Sequence, residues 1–94
     1  MESYKITYSN HAVRQMFQRN ISVEEVKFAL QHGSIINEYS DDRPYPSKLV
    51  FAVCNSRQLH VVFAENSKDN EIIIITTYEA STTIWENDFT TRKK

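Results

Sequence analysis

Apolar and polar positions change period twice along the chain. Tyr4-Lys5-Ile6-Thr7-Tyr8 alternates and is rich in β-formers, which predicts a short first strand. Ser9 and Asn10 follow, and the side-chain oxygen of either can accept a free N–H of a first helical turn. From His11 to Arg19 the spacing is helical, with Ala12, Val13, Met16 and Phe17 on one stripe and His11, Arg14, Gln15 and Gln18 on the polar face. Asn20-Ile21 ends this helix. Ser22 and Glu25 then form a capping box, in which each side chain satisfies a backbone donor of the other residue. The second helix runs to about His32, with Val23, Val26, Phe28, Ala29 and Leu30 available for burial. Gly33, the one glycine in the chain, stands where a left-handed helix cap is expected.

Beyond Gly33 the period becomes two. Ile35 to Tyr39 reads as a strand, and Asp41 to Ser47, with Pro44 and Pro46, reads as a loop that cannot pair regularly. Lys48–Cys54, Gln58–Glu65 and Glu71–Tyr78 are three further strands, joined by the short polar segments Asn55–Arg57 and Asn66–Asn70. Loops this short enforce antiparallel neighbours. The expected fold is α+β, with two N-terminal helices packed on a twisted antiparallel sheet of about four strands, in the order β-α-α-β-β-β-β. If both hairpin loops are odd in length, Leu49, Phe51, Val53, Leu59, Val61, Phe63, Ile73 and Ile75 face the helices. The other face then carries His60, Thr76 and Tyr78. Trp85 and Phe89 suggest a docked tail, and residues 90–94 are expected to fray.

Ninety-four residues fit a single domain, 1–94, and no apolar run approaches the ~18 residues of a membrane span. The N-terminus lacks the basic-then-apolar layout of a signal peptide. The lone Cys54 has no internal disulfide partner, which suits a reducing compartment. Together these features predict a cytoplasmic protein with no membrane association. A net charge of −1 and a pI near 6.3 carry no global nucleic-acid footprint, so any RNA contact must come from a local basic patch.

Three groups of residues could carry chemistry. His60 interrupts the apolar run Leu59-His60-Val61-Val62-Phe63, and pairing around Asn66–Asn70 puts it opposite Thr76 with Tyr78 diagonal. A histidine beside a tyrosine can move protons near neutral pH, although a hydrogen-bonded, half-buried histidine is the commoner outcome of such a pattern. His11 and Arg14 lie three apart on one helix face and, with Arg19 and Lys27, make a positive surface suited to phosphate or to an acidic partner. The competing role is a solvated helix face. Arg43 and Lys48, in or beside the long loop, can reach a phosphate or serve as plain surface charge, as can Arg57. His11, His32, His60 and Cys54 have no ligand-like spacing, so no metal is expected. A single glycine leaves no phosphate-cradling loop, so no nucleotide cofactor is expected either.

In chain order, Ser9-Asn-His-Ala-Val-Arg-Gln-Met16, Gln18-Arg-Asn-Ile-Ser22, Gly33, Glu38-Tyr39, Asp41-Asp42, Pro44, Pro46, Leu59-His-Val-Val62, Ile75-Thr-Thr-Tyr-Glu79 and Trp85 resemble the bacterial family catalogued as domain of unknown function 4258. That family is in turn similar to the RelE/ParE-like toxins in its strand–helix–helix–sheet layout. The resemblance implies the toxin of a toxin–antitoxin pair: a metal-independent endoribonuclease cutting single-stranded RNA, or mRNA on the ribosome, and held in check by a cognate antitoxin. It implies attack of a 2′-hydroxyl on the adjacent phosphate, which needs an acid, a base and cationic stabilisation. In those roles stand His60 and His11 as acid–base groups, Tyr78 as acid or base-stacking group, and Arg14, Arg19, Arg43 and Lys48 as phosphate contacts. RelE-like enzymes are strongly basic and this chain is not, which keeps two other readings open. One is a non-catalytic interaction module, immunity-like or regulatory; the other is a gyrase-poisoning toxin. A single positive groove holding His11, Arg14 and His60 favours the nuclease, and dispersed histidines favour the binding module.

Overall fold

The computed structural model describes residues 4–80; the expectations for Trp85, Phe89 and the frayed end lie outside them. The elements in chain order are β1 (Lys5–Tyr8), α1 (Asn10–Arg19), α2 (Val23–His32), β2 (Ser34–Tyr39), β3 (Ser47–Cys54), β4 (Arg57–Asn66) and β5 (Glu71–Glu79). Five strands form one sheet in the order β1-β5-β4-β3-β2, so the sheet has five strands where about four were expected. It is also mixed. β1 runs parallel to β5, with Lys5 beside Glu71 and Tyr8 beside Ile74. Short loops force antiparallel pairing only between chain neighbours; β1 meets β5 from the far end of the sequence, where no loop constrains direction.

Local chemistry fixes the helices. Ser9 is the N-cap of α1: its Oγ accepts from the Ala12 N–H at 3.0 Å and donates to the Ile75 carbonyl at 2.9 Å, which ties the helix start to β5. The helix stops at Asn20, whose left-handed backbone (φ 55°) turns its N–H back to the carbonyls of Met16 and Phe17. The capping box of α2 forms as expected, with Glu25 N–H donating to Ser22 Oγ at 3.1 Å and Ser22 N–H donating to Glu25 Oε1 at 2.9 Å.

Gly33 closes α2 in another way. Its backbone is extended (φ −78°, ψ 173°), not left-handed. The position is glycine because of proximity: a Cβ there would collide with a Val50 methyl and lie 2.5 Å from the Ala29 carbonyl oxygen and 2.8 Å from that of Phe51. The glycine thus lets the end of α2 run directly against β3.

The helices pack on one sheet face, α1 against β5 and α2 against β3 and β4. Ala12, Met16, Ile21, Val26, Ala29 and Leu30 meet Val50, Ala52, Leu59, Val61, Phe63, Ile72 and Ile74 in the main core. The expected face is therefore correct for β4 and reversed for β3 and β5. Both hairpin loops are even where odd ones were expected, and this accounts for the reversal. Cys54 pairs with Arg57, so the β3–β4 turn is the two-residue Asn55-Ser56, both at positive φ, and even loop parity puts Val50 beside Val61. Asn66 pairs with Glu71, so the β4–β5 loop is even as well and puts Phe63 beside Ile74; the register shift between Val62 and Phe63 then brings Thr77 beside Val61. The opposite face holds a smaller cluster of Leu49 and Ala80, with Ile36 and Val62 against it.

The helix stripe is narrower than its sequence suggests: Ala12 and Met16 are buried, whereas Val13 and Phe17 are 53% and 88% exposed. Among the described residues no helix is long and apolar enough to cross a membrane.

Candidate functional site

The bulge in the β4–β5 ladder decides the surroundings of His60. On the outer side of the register shift His60 pairs directly with Tyr78, while Thr76 pairs with Val62. The expectation of Thr76 opposite and Tyr78 diagonal is corrected: the partner of His60 lies further along β5, displaced first by the even loop and again by the bulge. His60 Nδ1 lies 3.2 Å from the Tyr78 hydroxyl, and the two rings stand 5.3 Å apart at 62°. Phe51, the register partner of His60 on β3, presents an edge at 5.8 Å and 88°. The Thr77 hydroxyl, pointing to the other face, donates to the His60 carbonyl at 2.9 Å. The imidazole is 0% exposed. It is held by packing on both sides and by a hydrogen bond whose direction follows the imidazole tautomer.

This pair sits on the face away from the helices. The register places no lysine or arginine on that face of β3, β4 or β5 among the described residues. Arg57 projects to the helix side, where its Nη1 donates to the Asn20 carbonyl at 2.9 Å and its Nη2 to that of Arg19 at 2.8 Å. The same guanidinium lies 3.3 Å from both carboxylate oxygens of Glu25. It caps the last turn of α1, where a cation is favoured by the carbonyl ends of the helix. Burial alone would raise Glu25, but the Ser22 N–H and the Arg57 charge outweigh it and hold this carboxyl below its usual range.

The other sequence candidates are dispersed. His11, Arg14 and Arg19 are exposed on α1, in the layer on the opposite side of the sheet from His60. His11 and Arg14 share one helix face; Arg19 points elsewhere and donates through Nε to Gln15 Oε1 at 2.6 Å. Arg43 is exposed in the β2–β3 loop. Lys48 donates to Glu65 at 2.8 Å, and that bond holds its ammonium above the ordinary lysine value. The structure thus joins His60 with Tyr78 and keeps both apart from His11, Arg14 and Arg19. No three His, Cys, Asp or Glu side chains converge as metal ligands among the described residues.

One constellation was not legible beforehand. Asn10, Val13, Arg14, Phe17 and Gln18 line a shallow groove on the outer face of α1. Val13 and Phe17 stand one turn apart, with Arg14 beside them and no carboxylate anywhere in the helix. Their spacing from Ala12 and Met16 matches a buried stripe, so the sequence alone assigns Phe17 to the core.

No curated protein and no solved structure gives a significant match. A family model matches residues 8–79, which run from the last residue of β1 to the end of β5 and contain both constellations. On that match the chain belongs to the family described as Domain of unknown function (DUF4258).

Proposed function

We propose that this chain works by recognising a protein partner through the outer face of α1. The observation that carries this reading is Phe17, 88% exposed one turn from a half-exposed Val13 and next to Arg14. Aromatic and arginine side chains are the residues that dominate binding energy at protein interfaces, and paired apolar positions at i and i+4 are how a helix anchors in a groove. The dispersal of the charged and histidine candidates favours the same reading. A phosphate-cleaving centre needs its proton donors and cations around one substrate, and here the sheet stands between them.

The second reading is the ribonuclease toxin of a toxin–antitoxin pair, and the His60–Tyr78 contact is what favours it. An imidazole sharing a hydrogen with a phenol can serve general acid–base chemistry. That reading requires His60, fully shielded here, to become accessible to RNA.

Tyr78→Phe separates the two. It keeps the ring and removes only the hydroxyl bonded to His60, costing about 0.5–1.5 kcal/mol of stability. Purified wild type and variant are incubated with single-stranded RNA in the presence of a chelator. Recognition through α1 predicts intact RNA with both. Cleavage by the wild type that falls by about a hundredfold or more in a folded Tyr78→Phe would establish the ribonuclease instead.

A further inference from the structure

We infer that the partner taken by α1 is an acidic amphipathic segment, which lays its apolar side on Val13 and Phe17 and sets a carboxylate against Arg14. This rests on the recognition reading above and adds the chemistry of what is recognised. The shallow surface is lined by an apolar strip of Val13 and Phe17, by the single charge of Arg14, and by the amides of Asn10 and Gln18. α1 carries Arg14 and Arg19 and no acidic side chain, in a chain whose net charge is −1. With two positive charges on α1 and a total of −1, the remaining residues sum to a net negative charge, so this helix differs in sign from the rest of the chain. Charge of that sign selects an anionic partner and discourages cationic ones before contact.

Two other occupants fit less well. A second copy of the chain docked face to face through α1 would set an arginine-bearing helix without carboxylates against its twin, leaving both guanidinium groups unpaired. Single-stranded nucleic acid would find one aromatic ring to stack on, but a polyanion draws its affinity from several phosphate contacts. Among the described residues Arg14 is the one cation that borders this groove, and half of the apolar strip is an aliphatic valine. A protein segment with apolar residues one turn apart and a flanking glutamate or aspartate uses every part of the surface.

The test uses the full chain, isotopically labelled, and two synthetic helical peptides with one apolar face in common. One has glutamate at its flanking positions and the other lysine. Binding is followed by fluorescence anisotropy and mapped by amide chemical shifts. The glutamate peptide is expected to bind with shifts confined to α1. Its affinity should fall about tenfold or more with Phe17→Ser, a change of roughly 1.4 kcal/mol, and fall again as salt rises. Arg14→Glu should reverse the preference toward the lysine peptide. Equal binding of both peptides at α1 would overturn the acidic partner while leaving protein recognition standing. Binding of neither peptide, with a uridine oligonucleotide shifting the α1 amides instead, would overturn both. Concentration-dependent dimerisation abolished by Phe17→Ser would overturn the inference in favour of a second copy.

Discussion

Gly33 and Phe17 show how one residue type can be conspicuous in a sequence for a reason the sequence does not state. The isolated glycine after a helical stretch marks the end of α2 correctly. Its purpose is space for β3, and that is visible only when Val50 and the carbonyls of Ala29 and Phe51 are in place around it. Alanine at this position must push a strand and a helix apart. Gly33→Ala is expected to destabilise the fold by about 1–3 kcal/mol, the range for overpacking a close contact, as measured by urea denaturation. An unchanged midpoint would show that the backbone yields without cost. Phe17 is the converse case. Its spacing is indistinguishable from that of a core residue, and only the narrow arc over which α1 touches β5 leaves it outside.

At the level of elements, what the sequence disclosed tracks how local each determinant is. Both helices, their serine caps and the strand positions follow from neighbours a few residues apart. Facing did not follow, because one residue of loop length inverts β3 at Asn55-Ser56 and β5 at Ser67–Asn70, and the Ile72–Ile75 run is apolar at every position and cannot reveal its phase. Arg57 was also opaque. It reads as surface charge in a turn, yet it fastens β4 to the end of α1 and, through Glu25, to the start of α2. Because the Glu25 carboxyl is held below its ordinary value in the folded protein, the unfolded chain binds its proton first as acid is added. Its stabilisation is therefore complete above the ordinary carboxylate range and is lost as pH falls through that range toward the lower folded value. Glu25→Gln should remove this share of the acid-limb loss, so that thermal midpoints of variant and wild type converge at low pH. A constant gap at all pH values would contradict the assignment.

For the whole molecule, the sheet acts as a partition. The helix layer carries His11, Arg14, Arg19 and the exposed Val13–Phe17 strip; the other face carries His60, packed between Phe51 and Tyr78. Family membership over residues 8–79 takes in both faces and assigns them no activity. The separation, together with the exposure of Phe17, is what supports the proposed recognition through α1. The most direct measurement replaces Phe17 with a photo-crosslinking amino acid in the producing cell, with Lys68, exposed in the β4–β5 loop, as the control position. Recognition through α1 predicts a discrete adduct at position 17 that protease destroys and ribonuclease leaves intact, and that is absent at position 68. An adduct at position 17 that ribonuclease removes, or equal labelling at both positions, would contradict it.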